Sequence, residues 1–266
     1  MAFGPDNRFQ TGTSAWTQPL GRSAAVDAAQ LDEGLRAYML RVYNWMASGL
    51  LLTGIVAFLI VNTGASELFY QVVRTPRGNA TAPTILGWVA MLSPLAFILV
   101  LSFGINRMSK TTAQALFWIF CAVMGASISN ILLIYTGASV ASTFFITAAM
   151  FGAVSLYGYT TKADLTRMGS FLMMGLIGIL IAGLVNIFLQ SSALHFAISV
   201  IGVVVFVGLT AYDTQRIKAD YIEYAYAEGT DGAAKRSVFD ALGLYLNFIN
   251  IFQLLMQLIG VRQNSD

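Results

Sequence analysis

The sequence predicts an all-α, polytopic membrane protein with seven transmembrane helices, on three observations. Of its 266 residues, 57% are hydrophobic and only 11% charged, and the mean hydropathy is +0.69; a soluble domain is roughly one-quarter charged. A helix crosses a hydrocarbon core of about 30 Å with about 20 mostly apolar residues, and seven runs of that size succeed one another between charged or turn residues. Lys and Arg collect in alternate loops, as expected where positive loops stay in the cytoplasm. The same composition excludes a water-soluble globule, a disordered chain and a disulfide scaffold. A net charge of +2 is too small for a nucleic-acid binder that works by neutralising phosphates. The single cysteine, Cys121, lies in an apolar stretch and supplies neither a disulfide nor a thiolate metal site.

Residues 1–37 read as a flexible cytoplasmic N-terminal tail, with Asp6, Asp27, Asp32 and Glu33 among small and polar residues and no apolar core for a cleavable signal. Residues 38–262 form the seven-helix domain. Its spans are expected at 39–62, 84–105, 112–135, 138–160, 168–190, 193–212 and 239–260. Pro94 in the second removes a backbone hydrogen bond and kinks that helix. The third and fourth spans, and the fifth and sixth, are joined by a few residues each, so each pair is an antiparallel hairpin. Small residues mark helix contacts, with a pore lining as the alternative: Ala47, Ser48 and Gly49; Gly125, Ala126 and Ser127; Gly175, Gly178 and Ala182. Asn130, Asn186 and Gln190 are expected to hydrogen-bond between helices. The last span carries Asp240, Asn247, Asn250, Gln253 and Gln257 within an arc of roughly 140°, a polar stripe on an otherwise apolar helix. A helix lying on the membrane surface would place Lys or Arg along that stripe, and none occurs between Arg236 and Arg262.

With the N-terminus inside, Arg8, Arg22, Arg36, Arg107, Lys110, Lys162, Arg167, Arg216, Lys218, Lys235 and Arg236 are cytoplasmic and only Arg74, Arg77 and Arg262 lie outside. Seven crossings then put the C-terminus outside.

Ionisable groups at membrane depth carry the functional information, since each costs about 2.5 to 3.5 kcal/mol at a helix centre. Asp213 closes the sixth span in VGLTAYDTQRI, Asp240 opens the seventh, and Arg107 closes the second in SFGINRM. Two readings of Asp213 stand: a helix-end carboxylate paired with Arg216 or solvated, or a buried carboxylate facing Arg107 and the polar stripe, able to bind a cation or take a proton. Asp240 is either a first-turn carboxylate stabilised by the helix dipole or part of the same polar core. Arg107 and Lys110 serve as cytoplasmic anchors in either case. Enzyme signatures are absent: one histidine, His195, supports no Ser-His-Asp, Cys-His or two-His zinc site, and there is no phosphate-binding glycine loop. An aspartyl protease needs two opposed carboxylates, and the sequence around Asp213 and Asp240 does not support one. The expectation is a non-enzyme.

Four strings carry a resemblance: LRAYMLRVYNWMASGLLLTG (35–54), GYTTKADLTRMGSFLMMGLIGI (158–179), FVGLTAYDTQRIK (206–218) and ALGLYLNFINIFQLLMQLIG (241–260). Over residues 35–262 the chain resembles the Bax inhibitor-1 family, also called transmembrane Bax inhibitor motif proteins, in a bacterial-type member. The resemblance implies six outer helices around a central seventh, a place in the bacterial inner membrane, and a pH-sensitive calcium leak. Its gate in such proteins is a pair of aspartates sharing a proton, with an arginine from the end of the second span as latch. Carried over, these positions are Asp213, Asn247 and Arg107. Asn247 is a departure, because the family's pattern there is often LYLD. Two adjacent carboxylates hold one proton between them and titrate together, whereas an Asn cannot titrate. Its amide donates to an ionised Asp213, so the shared-proton sensor is expected to be lost or shifted. Ca²⁺ prefers several oxygens including carboxylates, so Asp213 beside Asn247 is expected to be a weak calcium site. The resemblance also implies a second function, modulation of an FtsH-type membrane protease through the N-terminal tail. No cofactor is expected beyond Ca²⁺ as permeant or weakly bound ion.

Overall fold

Backbone groups in hydrocarbon find no water, so apolar runs of this length satisfy their hydrogen bonds internally as helices. The computed structural model describes residues 20–75, 78–104, 108–224 and 229–263. In chain order it contains α1 (Leu20–Asn62), α2 (Ser66–Phe69), β1 (Tyr70–Thr75), β2 (Gly78–Pro83), α3 (Ile85–Gly104), α4 (Lys110–Ile128), α5 (Asn130–Ile134), α6 (Gly137–Thr160), α7 (Thr166–Leu189), α8 (Ser192–Tyr224) and α9 (Gly229–Ile259).

Among the described residues six helices are long and apolar enough to cross a bilayer: Leu31–Asn62, Lys110–Ile134, Gly137–Thr160, Thr166–Leu189, Ser192–Glu223 and Ala233–Ile259. They fall on six of the seven expected spans. The run expected at 84–105 forms the 20-residue α3 with Pro94 inside it; among the described residues its apolar stretch is Ile85–Pro94, and it is not one of the six. The all-helical expectation also missed β1 and β2, an antiparallel pair in register from Tyr70 opposite Pro83 to Thr75 opposite Gly78. Val72, Val73, Thr75 and Thr81 favour extended backbone, and the strands are too short and too close to the first span to stand out in a hydropathy scan.

Three helices outrun their expected ends, and α1 already begins at Leu20, inside the stretch read as a flexible tail. α8 continues to Tyr224 and α9 starts at Gly229, so Asp213 does not close a helix and Asp240 is not in a first turn. Each sits inside a long helix whose backbone is already bonded, and the helix-dipole reading of Asp240 falls away. Asn186 and Gln190 also differ from expectation. Gln190 adopts a left-handed backbone (φ 50°) after α7, and Asn186 Oδ1 accepts from the Ser191 amide at 3.0 Å. These two residues shape the α7–α8 turn instead of joining helices.

α9 lies at the centre and packs against α1, α4, α6 and α8, while α3 packs on α4 and α7 on α8. The expected ring of six is therefore two layers, four helices around α9 and two outside them. The core on this axis includes Phe117, Phe120, Leu244, Tyr245, Ile251 and Met256. Gly49 sits against Phe117 and Cys121, and Gly125 against Thr53 and Val56, so α1 and α4 run parallel with small residues at the crossing. A Cβ on Gly125 would lie 2.6 Å from the Thr53 carbonyl oxygen, whereas Gly178 faces open space. Small residues thus mark some contacts and some of the outer surface. The far end of α9 is tied to the α5–α6 turn: the Thr136 amide donates to Val261 O at 3.0 Å, and the Gln263 amide to Ile134 O at 2.9 Å.

Candidate functional site

α8 and α9 pack side by side over their length, which brings Asp213 opposite Asn247. The Asn247 amide nitrogen donates to Asp213 Oδ2 at 2.7 Å. Arg216, one turn along α8, places Nη2 3.1 Å from Asp213 Oδ1 and its guanidinium 5.8 Å from the centre of the Tyr212 ring. Both carboxylate oxygens are held, one by a buried neutral amide and one by an arginine that is 44% exposed; the Asp213 side chain itself is 13% exposed.

A line of hydroxyls runs from this pair across the bundle. Thr214 Oγ1 donates back to Thr210 O at 2.8 Å, as a threonine in an apolar helix commonly does. It then accepts from Ser155 of α6 at 3.0 Å, and Ser155 is bonded to the hydroxyl of Tyr43 on α1. The signal for Ser155 was in the sequence: Ser139, Thr143, Thr147 and Ser155 share one face of α6, and all four are buried. Thr143 Oγ1 has no hydrogen-bond partner among the described residues.

Asp240, two turns from Asn247 on α9, is held from α1. Tyr38 OH donates to Asp240 Oδ2 at 2.6 Å, and the Tyr38 ring packs on Tyr221 of α8 with centroids 4.8 Å apart. Arg216 stands within electrostatic reach of both carboxylates, so one guanidinium serves two acids. The rest of the polar stripe divides. Gln257 Oε1 accepts from Ser199 of α8 at 2.9 Å, whereas Asn250 turns back to Leu246 O of its own helix at 2.8 Å and Gln253 is half-buried. Deeper in the core, Thr53 Oγ1 donates to Cys121 O at 2.9 Å and pairs with Tyr245 OH at 2.7 Å, joining α1, α4 and α9.

The structure thus brings Asp213 and Asn247 within hydrogen-bond distance of each other. Arg107 lies outside the described residues, and the arginine seen on Asp213 is Arg216, as in the ion-pair reading. Among the described residues no three of His, Cys, Asp and Glu gather as a metal site. A cation at Asp213 would meet its carboxylate and the Asn247 side chain. Sequence reasoning missed Tyr38, Tyr43, Ser155 and Thr214, because aromatic and hydroxyl residues in apolar helices look like packing until the partner helix is known.

Next to the site, Gln215 clasps the α6–α7 connection. Its Oε1 accepts from the Leu165 amide and its Nε2 donates to Ala163 O, both at 2.8 Å. In that connection, hydrogen bonds from Thr166 hold the exposed Asp164 carboxyl below the usual carboxylate range.

The chain matches the family described as "Inhibitor of apoptosis-promoting Bax1" over residues 35–264. It is 49% identical to a protein of Rickettsia prowazekii, covering 88% of this chain and 93% of that one. It is 46% identical to a protein of Caulobacter vibrioides, covering 90% and 95%. The inner membrane protein YbhL of Escherichia coli is 45% identical, covering 86% and 94%.

Proposed function

Because the chain belongs to the Bax inhibitor-1 family, we propose that it is a multi-pass inner-membrane protein that leaks cations, Ca²⁺ foremost, through a gate formed by Asp213 and Asn247. The observation that carries this reading is a largely buried carboxylate between α8 and α9 with both oxygens held by groups able to let go. While Asn247 and Arg216 hold it, the charge of Asp213 is compensated and offers little to a passing cation. When Arg216 swings to solvent, the same oxygen becomes a ligand, supplemented by the Asn247 carbonyl. Ca²⁺ favours such an all-oxygen set, but with one carboxylate it binds weakly, and weak binding is what permits release. With Asn247 in place of a second acid, no proton is shared across the pair, and the proposed leak is less steeply dependent on pH than that of a two-aspartate gate.

The fold supports seven crossings for this reading. α1 and α4 run parallel, which favours a return across the bilayer between them, with α3 the helix on that path. The start of α1 and the end of α9 then lie on opposite faces, and the Lys and Arg distribution favours a cytoplasmic N-terminus with the C-terminus outside.

The test is calcium entry into liposomes loaded with an indicator, from pH 6 to 8, for wild type, Asp213→Asn and Asn247→Asp. The reading predicts flux that requires Asp213, and a steeper pH dependence in Asn247→Asp. Flux unchanged in Asp213→Asn removes Asp213 from the mechanism. No flux in any folded variant rejects the leak and turns attention to an FtsH-type protease, where the measurement is whether removing residues 1–30 stabilises the protease's substrates.

A further inference from the structure

α1 and α6 both flank α9, and the seam between them, bridged by the Tyr43–Ser155 hydrogen bond, is otherwise hollow along the membrane-spanning part of the bundle. Three hollows follow one another down it. The first, about 320 Å³, lies at the Phe58 and Gly137 end. The second, about 600 Å³, shares Leu50, Gly54, Phe144 and Phe248 with the first and extends to Ala47 and Ala148. The third, about 440 Å³, begins one turn further on at Tyr43 and Gly152 and ends at Arg36 and Tyr159. Gly54 and Gly152, one on each wall, have nothing within 4 Å of where a Cβ would stand. The missing side chains leave room that no protein atom takes. The walls are apolar until the last turn, where Arg36 stands exposed at the mouth; among the described residues no ion pair holds it.

We propose that this seam is a phospholipid site, with the lipid phosphate on Arg36 and an acyl chain running between α1 and α6 toward Ala47. The dimensions agree. Arg36 to Ala47 is about 16 Å along a helix at about 1.5 Å per residue, close to half the roughly 30 Å hydrocarbon core, which is the reach of one leaflet's chain. Charge complementarity selects the headgroup: Arg36 at the polar boundary above an apolar slot, with Lys218 against the Tyr159 ring at the same mouth, matches one anionic phosphate ester. The bond between Tyr43 and Ser155 lies in the same hollow, so the occupant rests against the hydroxyl line that ends at Thr214. This proposal does not depend on the leak reading.

The experiment is native mass spectrometry of the full chain released from micelles, with phosphatidylglycerol and phosphate-free diacylglycerol as probes. Wild type is expected to retain one phosphatidylglycerol after detergent washing. Gly152→Phe fills the slot and should reduce retention at least about tenfold, on the order of 1.4 kcal/mol. Gly152→Leu serves as the milder version should the larger ring impair folding. Gly178→Phe places the same ring on an open glycine of α7, away from the seam, and should retain lipid as wild type does. Arg36→Gln should weaken phosphatidylglycerol about fivefold, the factor for about 1 kcal/mol per basic residue at an anionic lipid, and leave diacylglycerol unchanged. Equal retention in Gly152→Leu and wild type, equal loss in Gly152→Phe and Gly178→Phe, or a lipid-free dimer closed over the seam would each overturn the proposal.

Discussion

Breaking the hydrogen bond between Asn247 and Asp213 gives the sharpest energetic prediction. The perturbation is a double-mutant cycle of Asn247→Ala and Asp213→Ala with the double variant, which isolates the pairwise contribution. Interhelical hydrogen bonds in membrane proteins average about 0.6 kcal/mol, whereas a bond to a charged group contributes about 1.5 to 3 kcal/mol. Here the donor is 6% exposed, the distance is 2.7 Å, and the acceptor also faces Arg216 at 3.1 Å. The coupling expected at pH 7 is therefore about 2 kcal/mol, read from the stability of each variant against detergent-induced unfolding in micelles. The matching cycle with Arg216→Ala is expected to give less than about 1 kcal/mol, because that guanidinium is 44% exposed and exposed ion pairs are screened by water. A coupling to Asn247 at or below about 0.6 kcal/mol, or one to Arg216 that exceeds it, would refute the picture of a charged carboxylate held chiefly by the buried amide.

Three further outcomes follow from the geometry. Gly125→Ala brings a Cβ 2.6 Å from Thr53 O and should destabilise the protein by about 1 to 3 kcal/mol, while Gly178→Ala, in open space, should be neutral or stabilising by up to about 1 kcal/mol; unfolding in micelles separates the two. Tyr38→Phe removes the hydroxyl that holds Asp240 and should cost at least about 1 kcal/mol, with Asp240→Asn in the same background adding less than it does alone; additive losses would argue against the contact. Gln215→Leu releases both hydrogen bonds to the α6–α7 connection, so amide exchange at Leu165 should accelerate about tenfold or more while exchange in the α9 core stays unchanged; unchanged exchange at Leu165 would show that the clasp does not form.

Membrane helices are legible in sequence because lipid permits so few alternatives. Length, apolar composition and the short link from Tyr135 to Ala138 between the third and fourth expected spans were enough to locate six helices and that hairpin. Helix ends were harder to place. Polar residues beyond 212 and before 239 broke the apolar runs without breaking the helices, which displaced Asp213 and Asp240 from helix interiors to supposed ends. The pairing of Asp213 with Asn247 was legible only through the resemblance of AYDTQ and LYLNFINIF to a known pattern, since spacing along one chain does not say which faces of two helices meet. Tyr38 and Tyr43 had no such pattern behind them. Their hydrogen bonds join positions 202 and 112 residues apart, and separations of that size leave no local periodicity to read. The α1–α6 seam was illegible for the same reason, because an open groove is a property of three helices together.

The central claim is that Asp213, held by Asn247, controls cation passage, and the most direct measurement is the initial rate of calcium entry into liposomes for wild type and Asp213→Asn at matched protein content. The account predicts a measurable leak in wild type and a loss of about tenfold or more in Asp213→Asn, with both proteins equally folded by circular dichroism. Equal rates in the two proteins at every pH from 6 to 8 would contradict it.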